Sequence, residues 1–450
     1  MSAVVDDISQ YRSAFESREQ YGSRNDPPWL PVHRRAAIER FEDLGFPTTR
    51  LEAWQNTSVA PVARGRFEPV SGTATRAAKL APELLSQLVV AGVPRGQQIV
   101  LVNGHFEPTL SNLDAGTGVT ISGLADALRE TPHKLESHLL QVSPDETNAF
   151  AALNTALFED GACILIESGV VVAEPIQLFF VSTPVANEAV QCHPRTLIVA
   201  GRGSQCTLVE TYVGPARAEY WTNAVTEIVL EEHANVDHYK LQCESEVGYH
   251  IATLSVDVGR SARFFDHSLC LGGALARNDV RVRLAGEGAE CDLDGLFVGR
   301  GVQHLDTHTL VDHVAPHCSS RELYKGVLGG MSHGVFHGRL VVRPGAQKTD
   351  AVQANKNLLL TKHALVDSTP QLEIFADDVK CRHGATIGQL DAMALFYLRS
   401  RGLSEEAARR MLTYAFASDI VDRLRVPVLR DGLQAFLQQR LPSVGREDAA

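Results

Sequence analysis

The spacing of apolar residues changes twice along the chain. Up to about residue 160 it follows, in separate stretches, the three- and four-residue interval of one helix face. In "HRRAAIERFEDLGFP", Ala37, Ile38, Phe41 and Leu44 share a face, and Gly45 and Pro47 end the run. "SPDETNAFAALNTALFEDG" opens on turn-forming residues and carries Phe150, Leu153, Leu157 and Phe158 as far as Gly161. Between these, "GQQIVLVNGHFEP" predicts a short hairpin, because Asn103 and Gly104 suit a type I′ turn. The pattern predicts a mostly helical N-terminal domain over residues 1–160.

From 161 to 390 the period shortens to two. Runs such as "ACILIESGVVV", "PIQLFFVST", "CTLVETYVG", "HLDTHTLVDHV" and "GVFHGRLVVRPG" recur without a long helix. Toward the end of this region the strands repeat about every 14 to 16 residues, longer than the 8 to 12 of a sandwich. The expected fold is therefore mainly β: a right-handed parallel β-helix core, with a sandwich as the competing architecture. A solenoid leaves two open ends that other segments must cap. Helical spacing returns over 391–450. In "LSEEAARRMLTYAFASDIVDRL", Ser404 is the expected N-cap, Glu405 and Glu406 suit the first turn, and Met411, Leu412, Ala415, Phe416 and Ile420 form an apolar stripe. A second helix, "LRDGLQAFLQQRL", offers Leu429, Leu433, Phe436 and Leu437. Two readings stand for these C-terminal helices: a cap on the solenoid end, or a docking surface for a partner.

Composition narrows the function. With 450 residues the chain exceeds the size of a single core. Apolar residues are 44% and charged residues 21%, and no apolar run is long enough to span a bilayer. The first residues carry acids and no apolar segment of a secretory signal, so a cytoplasmic location is expected. Eight cysteines lie far apart without a CxxC, which suits small buried hydrophobes in a reducing compartment. The formal charge of −12 argues against a nucleic-acid surface. There is no GxxxxGK[ST] loop, no GxGxxG after a strand and no HExxH.

Two clusters carry candidate chemistry. On a strand His304, Asp306 and His308 would point to one side, as in a metal-dependent hydrolase or lyase built on a β-solenoid. The same three residues also suit the polar outer face of a rung, and no further carboxylate or oriented base is fixed by the pattern. In "DDVKCRHGAT", Cys381 and His383 would project side by side from an extended segment, with Lys380 and Arg382 on the other face and positioned to lower the thiol pKa. Two donors are half a site, because iron–sulfur clusters and tetrahedral metals take about four. The pair is either completed from elsewhere, including a second subunit, or is a buried cysteine beside a hydrogen-bonded histidine.

"TPQLEIFADDVKCRHGATIGQLD" followed by "LFYLRSRGLSEEAARRMLTYAFASDIVDRL" closely resembles the C-terminal signature of the SufB/SufD family of the SUF iron–sulfur cluster assembly system. "FPTTRLEAWQNTSV" and "LNTALFEDGACILIESGVVVAEPIQLFFVS" resemble its earlier segments, so the likeness covers nearly the whole chain. The sequence reads His383, Gly384, Ala385 where the SufB branch tends to read His-Glu-Ala, and shows Asn355 near the position of that branch's cluster-building cysteine, so the SufD branch fits better. The resemblance implies a non-enzymatic scaffold that pairs with a SufB-like subunit through the β-helix, or with itself in isolation. It implies a SufC-like ABC ATPase docked on the C-terminal helical domain, 391–450, with Met411, Leu412, Ala415 and Phe416 as the expected docking stripe. No tightly bound cofactor is implied; a nascent cluster or iron would be held transiently at the subunit interface, with His383 the first ligand and Cys381 the second.

Overall fold

A computed structural model describes residues 8–21, 26–70, 96–113, 116–142, 147–186 and 188–441. The N-terminal helices include α1 (Ser9–Tyr21), α2 (Leu30–Leu44) and α3 (Ala149–Leu157). The α2 face carrying Ala37, Ile38 and Phe41 is buried, and Gly45 ends the helix at φ 61°, where glycine pays no Cβ penalty. Asn148 starts α3 by accepting hydrogen bonds from the amides of Phe150 and Ala151. The turn residues 143–146 before it lie outside the described residues. Gln98–Val102 and His105–Phe106 form the expected antiparallel hairpin, with Asn103 and Gly104 both at positive φ.

The β region is a solenoid of parallel strands laid down alternately in two sheets. Trp221 aligns with Tyr249, Tyr249 with Leu275, Leu275 with His304, His304 with His333, and His333 with Leu365. Each coil therefore regains its place after roughly 26–32 residues, a solenoid period that a sandwich does not produce. Sheet pairing starts before residue 161: Gln98–Val102 runs parallel to Ile176–Val181 in one sheet, and Val119–Gly123 closes the other antiparallel to Gly161–Ile166.

The last coils set up the site. In one sheet stand β1 (Leu275–Leu284), β2 (His304–His313), β4 (His333–Val342) and β6 (Leu365–Ile374). In the other stand β3 (Ser319–Leu328), β5 (Asp350–Leu359) and β7 (Lys380–Gly388). Alternate residues face the lumen, where Ala224, Ile228, Leu254, Val280, Val311 and Phe336 belong to one continuous cluster. Polar residues share that lumen. Thr226 and Tyr212 donate to Glu210, His238 lies 2.7 Å from Asp266, and Lys240 donates to Asn278 at 2.6 Å.

Helices cover both flanks. Tyr11, Phe41, Trp54 and Phe150 pack on Trp221, Ile251 and Leu275 of the first sheet. After β7 come α4 (Ala392–Ser400), α5 (Glu405–Val421) and α6 (Pro427–Arg440). Ser404 caps α5 by accepting from the Ala407 amide at 3.1 Å. Ile420, Leu424, Leu429, Leu433 and Leu437 pack on the outer face of the second sheet, against residues such as Leu269, Leu296 and Val327. Arg423 pairs with Asp294 at 2.8 Å and Arg425 with Asp237 at 2.9 Å. Thus α5 and α6 lie along the solenoid flank and do not cap its end, because the acids that receive their arginines sit on outward positions of the strands.

Candidate functional site

The final coil is the least covered part of the solenoid. Each of β6 and β7 pairs with one neighbour, β4 and β5 respectively, and among the described residues neither has a strand on its other edge. Most of β7 from Arg382 onward is exposed. A Cβ built on Gly384 or Gly388 would meet nothing within 4 Å, so packing does not require glycine at either position.

Cys381 and His383 fall on the lumen-facing side of β7, in register with Ala351 and Gln353 of β5. Their surroundings differ. Cys381 is half-buried against the cluster of Leu340, Val342, Ala346, Ala351 and Ala376. Burial and the nearby Asp350 carboxylate push its thiol up, opposite to the lowering expected from Lys380 and Arg382. Alternation puts those two cations on the other face of the strand. His383 is exposed and, within the described residues, makes no hydrogen bond or ion pair. The structure thus brings the two residues onto one face at the rim of the solenoid, and no third His, Cys, Asp or Glu of the described residues joins them as a metal cluster.

Beneath them lies a shelf of amides. Gln353, Asn355 and Asn357 of β5 all face the lumen and are buried. Asn355 donates to the Tyr324 carbonyl at 3.2 Å and accepts from Ser368 Oγ at 2.7 Å. Gln353 Nε2 donates to Glu322 Oε2 at 2.8 Å, and the Thr309 hydroxyl donates to Glu322 Oε1. Burial pushes the Glu322 carboxyl up to about 7, against the lowering effect of those two donors. Sequence reasoning missed this shelf. Alternation would place its residues inward, but polar side chains on a strand are ordinarily assigned to the outside.

His304, Asp306 and His308 do share the outer face of β2, yet they are already engaged. Arg277 reaches Asp306 at 2.7 Å, and the Thr57 hydroxyl donates to it at 2.6 Å. His308 Nε2 lies 3.1 Å from the other Asp306 oxygen, and His304 Nε2 lies 2.8 Å from Thr57 Oγ1. Burial pushes the Asp306 carboxyl up, but His308 and Arg277 outweigh it and hold the group well below the usual carboxylate range. Arg277 in turn stacks on Trp54, 3.6 Å from the ring centroid. The set is a joint between the solenoid and the N-terminal segment, whose partner Thr57 no strand pattern could supply.

On α5 the expected stripe is split. Met411 and Ala415 are exposed, and Leu412 and Phe416 are half-buried; Ala408, Thr413, Ala417, Ile420 and Val421 form the buried face. Phe416 is held by Lys325, whose ammonium sits 4.5 Å from the ring centroid and donates to the Phe416 carbonyl at 3.0 Å. On α4 no residue is buried, and Met393, Phe396 and Tyr397 stand exposed.

Residues 182–416 match the family model described as SUF system FeS cluster assembly, SufBD core domain, and residues 5–178 match SufBD protein N-terminal region. The chain belongs to the SufBD family. The iron–sulfur cluster assembly protein SufD of Escherichia coli strain K12 is 30% identical over 440 residues, 98% of each chain. An iron–sulfur cluster assembly SufBD family protein of Synechocystis is 32% identical over 410 residues, 89% of each. The SufD of Bacillus subtilis strain 168 is 27% identical over 444 residues, covering 96% of this chain and 97% of that one. The SufBD resemblance of the C-terminal motif therefore extends to the whole chain, and a SufD-like role in iron–sulfur cluster assembly follows. No helix of the described residues is long and apolar enough to cross a membrane.

Proposed function

We propose that this chain is a non-catalytic scaffold subunit of a cytoplasmic SUF assembly complex. The observation that carries the reading is the bare final coil, with His383 exposed at its rim and two strand edges that no described strand pairs. Unpaired edges recruit strands of another chain through main-chain hydrogen bonds. A SufB-like subunit that extends both sheets would seat its own donors beside His383, and Cys381 behind it. The incomplete ligand set then becomes complete only in the pair, where a nascent cluster or iron is the cargo. His383 is the better ligand, because it is accessible and uncommitted; the Cys381 thiol must first give up a proton that its surroundings hold. The chain has no nucleotide loop of its own. A SufC-like ATPase would supply it, docking where α4 and the outward face of α5 present Met393, Phe396, Tyr397 and Met411.

The test is His383→Ala in the co-expressed complex. Complex formation is expected to be unchanged, while iron and sulfide assembled on the purified complex fall several-fold. A variant complex that assembles clusters at the wild-type level would overturn the ligand role and leave this subunit a purely structural one.

A further inference from the structure

A cavity of about 760 Å³ lies between the turns of the last coils and the first half of α5. Three successive turns line it: the one before β2, the one between β3 and β4, and the one between β5 and β6. They stack through hydrogen bonds, the Met331 amide donating to the Gly301 carbonyl at 2.7 Å and the Thr361 hydroxyl to the Gly330 carbonyl at 2.6 Å. Arg409 of α5 joins the wall, its Nη2 donating to the Leu360 carbonyl at 3.1 Å. Val302 and Met331 stand 74% and 62% exposed at the turns, where a polar side chain would have no desolvation to overcome. No acidic residue lines the cavity, and among the described residues Lys362, His363 and Arg409 make no ion pair. Other arginines of the solenoid are neutralised in place: Arg283 by Asp257, Arg321 by Asp350, Arg339 by Glu373 and Arg343 by Asp312. In a chain of net charge −12, an acid-free recess that gathers three N–H donors favours an anion. Met393, Phe396, Tyr397 and Met411 do not line it, so it is distinct from the face proposed for the ATPase.

We infer that this cavity binds a small phosphate ester of about nucleotide size, its phosphate taken by Arg409, Lys362 and His363 and its organic part resting on Val302 and Met331. The volume falls within the range of small-molecule pockets and is far more than a bare anion needs. Arg409, oriented by the Leu360 carbonyl, presents a fixed guanidinium, while Lys362 brings a mobile point charge with three donors. A tetrahedral phosphate turns oxygens in several directions at once, which suits three donors better than the two coplanar oxygens of a carboxylate. The organic part removes from water the apolar turn side chains that nothing else in the described chain covers. The inference is independent of His383 and of the ligand role proposed for it.

The experiment is isothermal titration calorimetry of the full chain at low salt with AMP, adenosine and inorganic phosphate. AMP is expected to bind saturably at one site and at least fivefold more tightly than inorganic phosphate, and adenosine, which lacks the charge, not to bind. Lys362→Met and Arg409→Met should each weaken AMP about tenfold, the loss of one charge-assisted hydrogen bond. Met331→Asp, which sets an acid in the cavity and leaves both cations in place, should weaken it at least as much. If Arg409→Met disturbs α5, the Lys362 and Met331 variants keep the test, because both side chains are exposed and their loss should leave the melting temperature within about 1 °C. Absence of saturable AMP binding overturns the inference, as does AMP binding that the variants leave unchanged. Equal affinity for AMP and inorganic phosphate also overturns it, because the site would then be surface cations alone. Should no probe bind while Arg409→Met lowers co-purification with a SufC-like ATPase, the cavity belongs to a protein interface and the inference falls.

Discussion

Glu322→Gln is expected to stabilise the chain, and to do so more at alkaline than at acid pH. The carboxyl is buried, and its pKa stands near 7 against an ordinary value of 4.5. The folded state therefore holds a proton that the unfolded state has released between these two values, and stability falls as pH rises through that window. The full amplitude is 2.5 pKa units, or about 3 kcal/mol at 1.36 kcal/mol per unit. About 1 kcal/mol of it is already lost at pH 5.5 and nearly all at pH 8, leaving a difference of about 2 kcal/mol between the two. A neutral amide at the same place has no such dependence. Its oxygen can accept from Gln353 Nε2, and one of its N–H groups can donate to the Thr309 hydroxyl, which accepts as well as donates. For 450 residues the unfolding entropy is on the order of 0.9 kcal/mol/K, so the melting-temperature gap between variant and wild type should widen by about 2 °C from pH 5.5 to pH 8. Paired thermal scans at the two pH values read it directly. A gap that is the same at both would refute the reasoning, since it would mean that Glu322 does not titrate in that window.

Arg195 forms a buried pair with Glu227, with contacts of 2.9 and 2.7 Å from Nε and Nη2 and further bonds to Asn154 and Thr155. Arg195→Met strands the carboxylate and should cost about 3–5 kcal/mol, lowering the melting temperature by a few degrees in the same scans. Met411→Asp alters an exposed side chain, so the melting temperature should stay within about 1 °C. Co-purification with a SufC-like ATPase should fall at least tenfold, and retention of full binding would remove that face of α5 from the docking surface.

The fold was legible because alternation and long strand spacing both point to a solenoid, and because long helices are missing from its middle. Ser404, Gly45 and the Asn103–Gly104 turn could be placed from local chemistry alone, since a cap or a tight turn is decided within a few residues. What could not be read depends on distant chain. Thr57 closes over Asp306 from 249 residues away and turns a metal-like trio into a joint. Asp237 and Asp294 draw Arg425 and Arg423 onto the flank, which decides where α5 and α6 lie. At the site itself the pairing of Cys381 with His383 followed from strand alternation. Their unequal exposure did not, because that depends on which coil is last and on the apolar cluster behind the thiol.

The unpaired rims of β6 and β7 bear on more than assembly. In the proposed complex, a copy made in excess over its partner would carry adhesive backbone into solution, guarded there by Lys380 and Arg382 on β7 and by Asp367, Pro370 and Glu373 on β6. Matched synthesis of that proposed partner would then be a condition of solubility, and an orphaned copy would advertise its own surplus to itself and to proteases alike.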